Sequence, residues 1–333
     1  PPVLFVGGFS GDVCPLPHAR SLVTRNLKAL SFLVELATAI GIQFPATLQA
    51  TEESTRDIAQ RTKSNGERWL YKDFLSSGGV HVRWVSDQES HPLRQHSDST
   101  FYQRWIAGKR FGVSYLSDGK KSVMLGICRS LHTKKPPFPF VYGGSCGPIS
   151  LTKQQTEALS KLGDTLVTKT ALAGLFGIDV IVDTHKNLWL LEINPRWTAS
   201  SELIERDLIC RSILQPHESL IGSACKIQFP NICREWNSPS LAELKTRLSQ
   251  NDDVAKPSVK KVVFARQTGT LDRDALSHAE ITGITCYDIP HHGAPITKGQ
   301  PLCSLIGPIQ SLDQAASKMR LRNSVRLAQM SVR

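Results

Sequence analysis

The chain has 333 residues, enough for two or three domains, and its 40% hydrophobic and 21% charged residues are ordinary for a globular protein. It has no apolar run as long as a membrane span and no signal-peptide pattern, so we expect a cytoplasmic protein without membrane partners. The net charge of +11 suits phosphates and anionic substrates, but the basic residues are spread along the chain, and we do not expect nucleic acid as the main partner.

The first predicted elements are a strand and two helices. A strand-like run covers residues 3–6, and because the chain enters it directly from Pro1 rather than from a methionine, we expect a fragment that lacks an N-terminal part. The glycine-bearing turn at 7–11 is not a full Gly-x-Gly-x-x-Gly and is weak support for a dinucleotide site. Apolar residues at helical spacing predict a helix over 27–40 that ends at Gly41, and a short helix covers 54–60.

Residues 69–82 predict a strand that carries a lysine, then a loop of small residues, then another strand. Lys72 would supply a point charge to phosphates. The loop consists of Ser76, Ser77, Gly78 and Gly79, and glycine lets backbone N–H groups approach a polyphosphate closely. The P-loop pattern is absent, and read alone the segment fits a hairpin turn equally well.

Three further segments separate this loop from the next motif. Residues 101–115 form a strand-like stretch in which Trp105 either stacks on a ligand or packs in the core, the commoner fate. A glycine-rich loop at 142–148 either lines a substrate site or is a surface turn, and 152–175 has a long helical pattern. Arg129 and His132 fit a solvent-facing pair better than a phosphate contact.

The most informative stretch is 188–196, an apolar run that ends in a carboxylate, an amide and a guanidinium. Glu192 and Asn194 are two residues apart, so on a strand they point the same way, and Arg196 can follow them. Asp179 lies on a second apolar strand thirteen residues earlier. A turn near 184–187 would join the two strands in a hairpin, and oxygen ligands of this kind suit Mg²⁺ beside phosphates, while Arg196 suits a phosphate or carboxylate.

The remaining elements are less specific. A helix with a serine cap begins near residue 200, 226–260 reads as a boundary with a short helix at 241–248, and short strands follow from 261. His291 and His292 invite a metal interpretation, but without a third ligand at a sensible spacing we expect a turn. The eight scattered cysteines contain no Cys-x-x-Cys, so we expect reduced thiols rather than a zinc ribbon.

The Asp…Glu-x-Asn pattern, which ends in Glu-Ile-Asn-Pro-Arg, resembles the magnesium-binding signature of the ATP-grasp superfamily, with the closest likeness to the ATP-dependent carboligase branch related to biotin carboxylase. The resemblance implies an α+β ATP-grasp fold, with ATP and Mg²⁺ (or Mn²⁺) as cofactors. It implies Asp179, Glu192 and Asn194 as metal ligands and Arg196 and Lys72 as catalytic residues. The implied nucleotide-binding residues are Lys72, Ser76, Ser77, Gly78, Gly79, Gln103, Arg104, Trp105 and Ile106, the last four beside the adenine.

The sequence departs from the family at two places. Many members carry an acid just after the hinge glycine, where it holds the ribose, but this chain has Lys109 and Arg110, a basic pair that suits another phosphate or an acidic substrate. The first nucleotide lysine of the family falls closer to Leu30 than to Lys28, so that role is not assigned.

The resemblance also implies a division into three parts and a reaction. We expect the end of a preceding α/β domain at 1–45, an ATP-grasp domain at 46–225 and a β-rich region at 226–333. The implied activity is a ligase that activates a carboxylate as an acyl phosphate for an amine or another nucleophile. Its expected partners are small molecules and a second copy of the chain in a homodimer. A bicarbonate-activating enzyme and a non-catalytic nucleotide- or nucleic-acid-binding protein are the alternatives.

Overall fold

The computed structural model describes residues 27–73, 78–79, 82–85, 100–132, 139–229, 231, 233, 236–274, 283–308, 325–326, 328–330 and 332. The predicted strand at 3–6, the glycine-bearing turn at 7–11, and Ser76 and Ser77 lie outside these residues. None of the helices that the structure describes combines the length and apolarity needed to cross a membrane.

The helices of the described residues are α1 (Leu30–Ile40), α2 (Glu52–Asn65), α3 (Lys153–Thr170), α4 (Ser201–Cys210), α5 (Leu220–Gln228) and α6 (Leu241–Ser249). The strands are β1 (Thr47–Gln49), β2 (Trp69–Asp73), β3 (Arg83–Trp84), β4 (Thr100–Arg104), β5 (Gly108–Asp118), β6 (Ser122–His132), β7 (Tyr142–Gly147), β8 (Ala173–Asp183), β9 (Leu188–Asn194), β10 (Ser258–Phe264), β11 (Gly269–Thr270), β12 (Thr285–Tyr287), β13 (Pro295–Ile296) and β14 (Pro301–Pro308).

The local signals for the first two helices are present in the structure. Helix α1 ends as predicted at Gly41, whose φ of 78° is the left-handed conformation that glycine adopts without strain. Helix α2 is longer than predicted because Thr51 and Ser54 form a reciprocal capping box at its start and Gly66 closes its end. The predicted helix at 241–248 is confirmed as α6.

The predicted helix over 152–175 is wrong beyond residue 170. Ala171 adopts a φ of 52° and ends α3. Residues 173–183 then form β8, which pairs with β5 along its whole length. The apolar residues at its start satisfy either pattern, and strand pairing decides between them.

Two antiparallel sheets carry the fold. The smaller one has the order β1-β4-β2-β3, and α2 packs on it through Ile58, Trp69 and Tyr102. The larger one has the order β12-β14-β10-β7-β6-β5-β8-β9. The mixed helices and antiparallel sheets confirm the predicted α+β class.

Helices form two hydrophobic clusters with the larger sheet. Helices α1 and α3 pack in one cluster with Phe111, Val113 and Tyr115 of β5. Helices α4, α5 and α6 pack in the other with Leu116 and Val123. Alternate residues of β5 therefore serve different clusters, as expected for a strand covered on both faces.

The chain passes from the smaller to the larger sheet over residues 105–107, between β4 and β5. Strands β10, β12 and β14 extend the larger sheet beyond β7, so the β-rich C-terminal part shares that sheet. The predicted domain boundaries at 45 and 225 stay predictions.

Candidate functional site

The predicted hairpin is confirmed in β8 and β9. Its turn at 184–187 is closed by Asp183, whose Oδ1 accepts hydrogen bonds from the backbone N–H groups of His185 at 2.9 Å and Asn187 at 2.8 Å. The register pairs Asp179 directly with Glu192. Two carboxylates therefore face each other across the hairpin, an arrangement that is destabilising without a cation.

An amide and a guanidinium complete this group. Asn194 Nδ2 donates to Asp179 Oδ2 at 3.3 Å, and Arg196 Nη2 donates to Asn194 Oδ1 at 3.4 Å. Arg196 Nη1 also donates to the Trp197 carbonyl at 3.1 Å, which orients the guanidinium. The structure thus brings the four residues of the motif into one connected cluster.

The protonation of Asp179 reflects its surroundings. Burial and, second to it, the Glu192 carboxylate raise the pKa of Asp179 to about 7, while Arg110, Arg196 and the Asn194 hydrogen bond oppose the shift. Asp179 and Glu192 therefore do not both ionise easily at neutral pH without a cation.

The donor atoms of this cluster fit a hard divalent cation. Asp179 and Glu192 offer carboxylate oxygens and Asn194 offers an amide oxygen, the ligands that Mg²⁺ prefers together with phosphates. A bound cation would also remove the repulsion between the paired carboxylates.

The cluster lines a cavity of about 460 Å³ that reaches both sheets. From the smaller sheet, Lys72 of β2 lies in its wall and donates from Nζ to Gln103 Oε1 at 2.6 Å. Burial lowers the pKa of Lys72 to about 8; Arg110 also lowers it, and Glu192 and Asp179 oppose this. The cavity thus has a carboxylate side and a cationic side.

The described part of the glycine loop also lines the cavity. Gly78 and Gly79 have φ values of 70° and 78°, and the Tyr142 backbone N–H donates to the Gly78 carbonyl at 3.0 Å. A Cβ on Gly79 would lie 2.1 Å from the Phe140 carbonyl oxygen, so only glycine allows this approach. The loop therefore lies directly on the segment that precedes β7.

The four predicted adenine-binding residues join the two sheets, but none of them is among the described residues that line the cavity. The Arg104 and Trp105 backbone N–H groups already donate to the Ala46 and Arg68 carbonyls, each at 2.8 Å. The Gln103 side chain is held between Lys72 and Thr47. Among the described residues, the Ile106 backbone N–H has no such partner.

Trp105 belongs to an aromatic and cationic stack at this junction. Its ring lies 5.6 Å from Trp84, which lies 5.1 Å from Phe140, and the Arg68 guanidinium lies 3.7 Å from the Trp84 centroid. The stack joins the smaller sheet, the 105–107 connection and the segment before β7.

Several cavity residues are not among the predicted site residues, although a ligand contact was one alternative for the basic pair with Arg110 and for the loop at 142–148, and the preferred solvent-facing interpretation of His132 is wrong. They are Lys28, Arg110, Ser130, His132, Tyr142, Ser145 and Ser200. The pairing of β6 with β7 places their members side by side, since Ser130 pairs with Ser145, and the Tyr142 hydroxyl lies 2.7 Å from Ser145 Oγ. The sequence was interpreted as a glycine-rich loop at 142–148, whereas residues 142–147 form β7.

The predicted serine cap of α4 has the right position but lacks the capping hydrogen bond. Ser200 occupies the N-cap position, but its hydroxyl makes no cap hydrogen bond and lies 3.1 Å from Thr198 Oγ1 instead. A Cβ on Gly112 would lie 3.1 Å from Ser200 Oγ and 3.4 Å from Asp179 Oδ1. Ser200 therefore faces the cavity beside the carboxylate cluster.

The predicted turn at His291 and His292 is present. The fold brings Asp272 and Asp274 next to His292, with the potential ligand atoms within 4.8 Å of one another. Asp274 and His292 are exposed, and exposed groups of this kind are common without an ion.

Comparison with known proteins identifies the architecture. Residues 29–200 match the family described as an ATP-grasp domain. A search of curated proteins by sequence finds no match.

Solved structures share the fold at low sequence identity. N5-carboxyaminoimidazole synthase from Aspergillus clavatus, in complex with ADP and 5-aminoimidazole ribonucleotide, aligns with a TM-score of 0.64 and 12% identity over 93% of this chain and 75% of that one. L-amino acid ligase from Bacillus licheniformis aligns with a TM-score of 0.60 and 12% identity over 91% of this chain and 71% of that one. The third is the biotin carboxylase domain of Hydrogenobacter thermophilus 2-oxoglutarate carboxylase, in complex with MgADP, ADP and bicarbonate. It aligns with a TM-score of 0.59 and 14% identity over 89% of this chain and 65% of that one.

These likenesses confirm the predicted fold. The prediction of ATP and Mg²⁺ agrees with them, because the matched family is defined by its ATP-grasp domain and two of these structures contain ADP, one as its magnesium salt. The individual site residues stay predictions.

Proposed function

We propose that this chain, which belongs to the ATP-grasp family, is an ATP- and Mg²⁺-dependent ligase that activates a carboxylate as an acyl phosphate for an amine or another nucleophile. The observation that carries the proposal is the pair Asp179 and Glu192, which face each other on adjacent strands inside a cavity that also contains Lys72 and Arg196. The compared ligase from Bacillus licheniformis adds support of a general kind.

The proposed reaction has two steps. A carboxylate oxygen of the substrate attacks the γ-phosphorus of ATP, the bond to the β-phosphate oxygen breaks, and ADP leaves. The nucleophile then attacks the acyl carbon, phosphate leaves with the bonding electron pair, and an amine nucleophile gives up its proton to solvent. No enzyme-bound covalent intermediate is required, so the protein supplies position and charge.

Each residue of the cluster has a role in this proposal. Asp179, Glu192 and Asn194 hold Mg²⁺, which neutralises the phosphates. Arg196 stabilises the transferred phosphoryl group, because its fork fits two oxygens at once. Lys72 and the loop with Gly78 and Gly79 cover the phosphates.

Substrate and assembly are parts of the proposal. We expect a small-molecule carboxylate and a small nucleophile, and not nucleic acid. A bicarbonate-activating reaction is the second candidate, since one of the compared structures was solved with bicarbonate. A cytoplasmic location stays a prediction. Homodimer formation also stays a prediction, and sedimentation equilibrium at several protein concentrations tests it.

The test is ADP release from ATP and Mg²⁺ in the presence of pooled carboxylates with amines, and separately of bicarbonate. We expect one pool to stimulate the wild type and Glu192→Gln to lose the stimulation. Glu157→Gln is the matched control, because Glu157 is exposed on α3 and outside the cavity.

Three outcomes separate the candidates. Stimulation by bicarbonate alone favours the second candidate over an organic acid. Binding of ATP with no stimulation by any pool, and no effect of Glu192→Gln, contradicts the metal assignment and favours a non-catalytic binding protein. An equal loss in Glu157→Gln and Glu192→Gln would make the effect unrelated to the cluster.

A further inference from the structure

A small space beside the carboxylate cluster stays open because β5 has no side chain at Gly112. A Cβ at this position would lie 3.1 Å from Ser200 Oγ, 3.4 Å from Asp179 Oδ1 and 3.9 Å from Ser130 Oγ. These three residues belong to different segments of the chain, and all of them line the cavity. We call the space between Gly112, Ser130 and Ser200 the serine pocket. An atom in it would contact two hydroxyl groups and a carboxylate oxygen of the cluster.

The Ser200 hydroxyl is the last member of a chain of four hydroxyl groups that begins in the core. Ser114 Oγ lies 3.0 Å from Ser201 Oγ, and Ser201 Oγ lies 3.0 Å from Thr198 Oγ1. Thr198 Oγ1 in turn lies 3.1 Å from Ser200 Oγ. Ser114 is fully buried, and among the described residues the hydrogen-bond partner of its hydroxyl is Ser201.

The burial of Ser114 determines the direction of this chain. A buried hydroxyl proton without an acceptor is costly, so Ser114 donates to Ser201. Each hydroxyl group has a single proton, so Ser201 donates to Thr198, and Thr198 donates to Ser200. The proton of Ser200 is left for a ligand, and this side chain is therefore a hydrogen-bond donor to the serine pocket.

The wall next to the serine pocket consists of uncharged groups. Ser130 pairs with Ser145, whose Oγ lies 2.7 Å from the Tyr142 hydroxyl. Burial and, second to it, the charge of Arg110 lower the pKa of His132 to about 4, so the imidazole in this wall is neutral at physiological pH. The wall thus offers hydroxyl groups and an imidazole, which suit a neutral polar group of a substrate.

This wall has no carboxylate among the described residues that could balance a cationic substrate. Apart from the two of the cluster, the one carboxylate among the described cavity residues is Asp73, on β2 of the smaller sheet. Behind the wall, the Lys260 ammonium is bonded to Glu202 Oε2 at 2.8 Å and Asp288 Oδ2 at 3.1 Å, so these carboxylates are already paired. A substrate ammonium here would lose its hydration without gaining an opposite charge.

We propose that the serine pocket binds the carboxylate substrate, and that this substrate is a hydroxy acid rather than an amino acid. The inference rests on the proposed function, in which a carboxylate oxygen attacks ATP beside the cluster. Ser200 donates to a carboxylate oxygen, and the Arg196 guanidinium balances the negative charge. The hydroxyl group of the substrate exchanges hydrogen bonds with Ser130 and Ser145 of the neutral wall.

The first test compares substrates that share a carbon skeleton. One pool contains the hydroxy acids lactate and glycerate, and the other contains the matching amino acids, alanine and L-serine. Hydroxylamine, present in both, converts an acyl phosphate into a hydroxamate, which is measured together with ADP release. We expect the hydroxy acids to give at least about tenfold more hydroxamate, because the ammonium group of an amino acid would be desolvated without a partner.

The second test alters the pocket and measures KM for the acid and for ATP separately. Gly112→Ala fills the pocket and Ser200→Ala removes its donor, so each should raise KM for the acid about tenfold or more and leave KM for ATP within about twofold. Gly126→Ala is the matched control, since its Cβ would meet Ile204 in a hydrophobic cluster instead. Neither glycine has a positive φ, and circular dichroism verifies that each variant is folded.

Ser114 is a positioning residue, because it acts on the substrate through the hydroxyl chain. Ser114→Ala removes the donor that sets the direction of the chain, so KM for the acid should rise about two- to fivefold while kcat and KM for ATP stay unchanged. Ser117→Ala is the control at another buried serine of β5, whose hydroxyl accepts from the Gly119 backbone N–H at 3.0 Å.

Four results would overturn the inference. Equal or greater hydroxamate from the amino acids contradicts the substrate class, and an equal rise of both KM values in Gly112→Ala contradicts the assignment of the pocket. ADP release with bicarbonate alone, without hydroxamate, favours the second candidate reaction instead. If neither acids nor bicarbonate stimulate ADP release, the proposed function itself fails together with the inference, a result distinct from the first three.

Discussion

The two sides of the cavity are built in different ways. The carboxylate side comes from one hairpin, in which Asp179 and Glu192 are neighbours through the register of β8 and β9. The opposite side is assembled from separate strands, with the cations Lys72 on β2 and Arg110 on β5 and the imidazole of His132 on β6. A site on one hairpin can be identified from spacing, whereas a site drawn from three strands depends on how two sheets are placed.

The largest expected effect lies on the carboxylate side. Asp179→Asn should lower Mg²⁺-dependent ADP release by about 1,000-fold or more, because it removes a metal ligand. The same change should raise the free energy of unfolding of the metal-free protein at pH 8 by about 1 kcal/mol, since it removes a charge opposite Glu192. Urea denaturation from pH 5 to pH 8 measures this gain.

The gain should shrink as the pH falls. The pKa of Asp179 in the folded protein, about 7, lies above the unfolded value near 4. Between these pH values the Asp179 carboxyl is protonated in the folded protein and ionised in the unfolded protein. The wild type therefore loses stability as the pH rises through this window, and the variant does not. Asp252→Asn, at an exposed position, should show neither effect; a gain independent of pH would contradict the assignment.

On the cationic side, Lys72→Met should raise the dissociation constant for ADP by about 100-fold and change the melting temperature little. The small cost in stability follows because burial already disfavours the charged lysine. Calorimetric titration with ADP measures the first effect. Lys63→Met, an exposed change on α2, is the control, and equal affinities in the two variants would contradict the role of Lys72.

A pair of glycines offers a sharper test of the contact between the glycine loop and the segment before β7. Gly79→Ala should raise the KM for ATP by about tenfold and lower the melting temperature, because its Cβ would meet the Phe140 carbonyl oxygen. Gly78→Ala has a similar positive φ but nothing within 4 Å of its Cβ, so it isolates the backbone strain, about 1 kcal/mol. Equal KM values in the two variants would show that the contact with Phe140 is unimportant for binding.

The smallest expected effect concerns the aromatic stack. Trp84→Leu should raise the KM for ATP by about two- to fivefold, since it removes ring contacts with Trp105 and Phe140 and the cation–π contact with Arg68. Steady-state kinetics measures it. Trp236→Leu, at a half-exposed tryptophan outside the stack, should leave KM unchanged, and a similar rise there would point to a general loss of packing.

The sequence by itself determined the features that depend on local physics. Glycine in the left-handed conformation at Gly41 ends α1, and the hairpin of β8 and β9 follows from two apolar strands and a polar turn. The spacing of Glu192 and Asn194 places them on one face because a strand repeats every two residues. Each signal is contained in a short segment of chain.

Only the tertiary structure decided the features that depend on partners distant in sequence. Ala171 ends α3 early because the following residues pair with β5, and Ser200 faces the cavity rather than capping α4. Arg110 lies in the cavity with Lys72 because the sheet that contains β5 and the sheet that contains β2 both line it. Spacing along the chain does not encode such proximity, since it arises when two sheets bury their apolar faces and leave polar side chains facing each other.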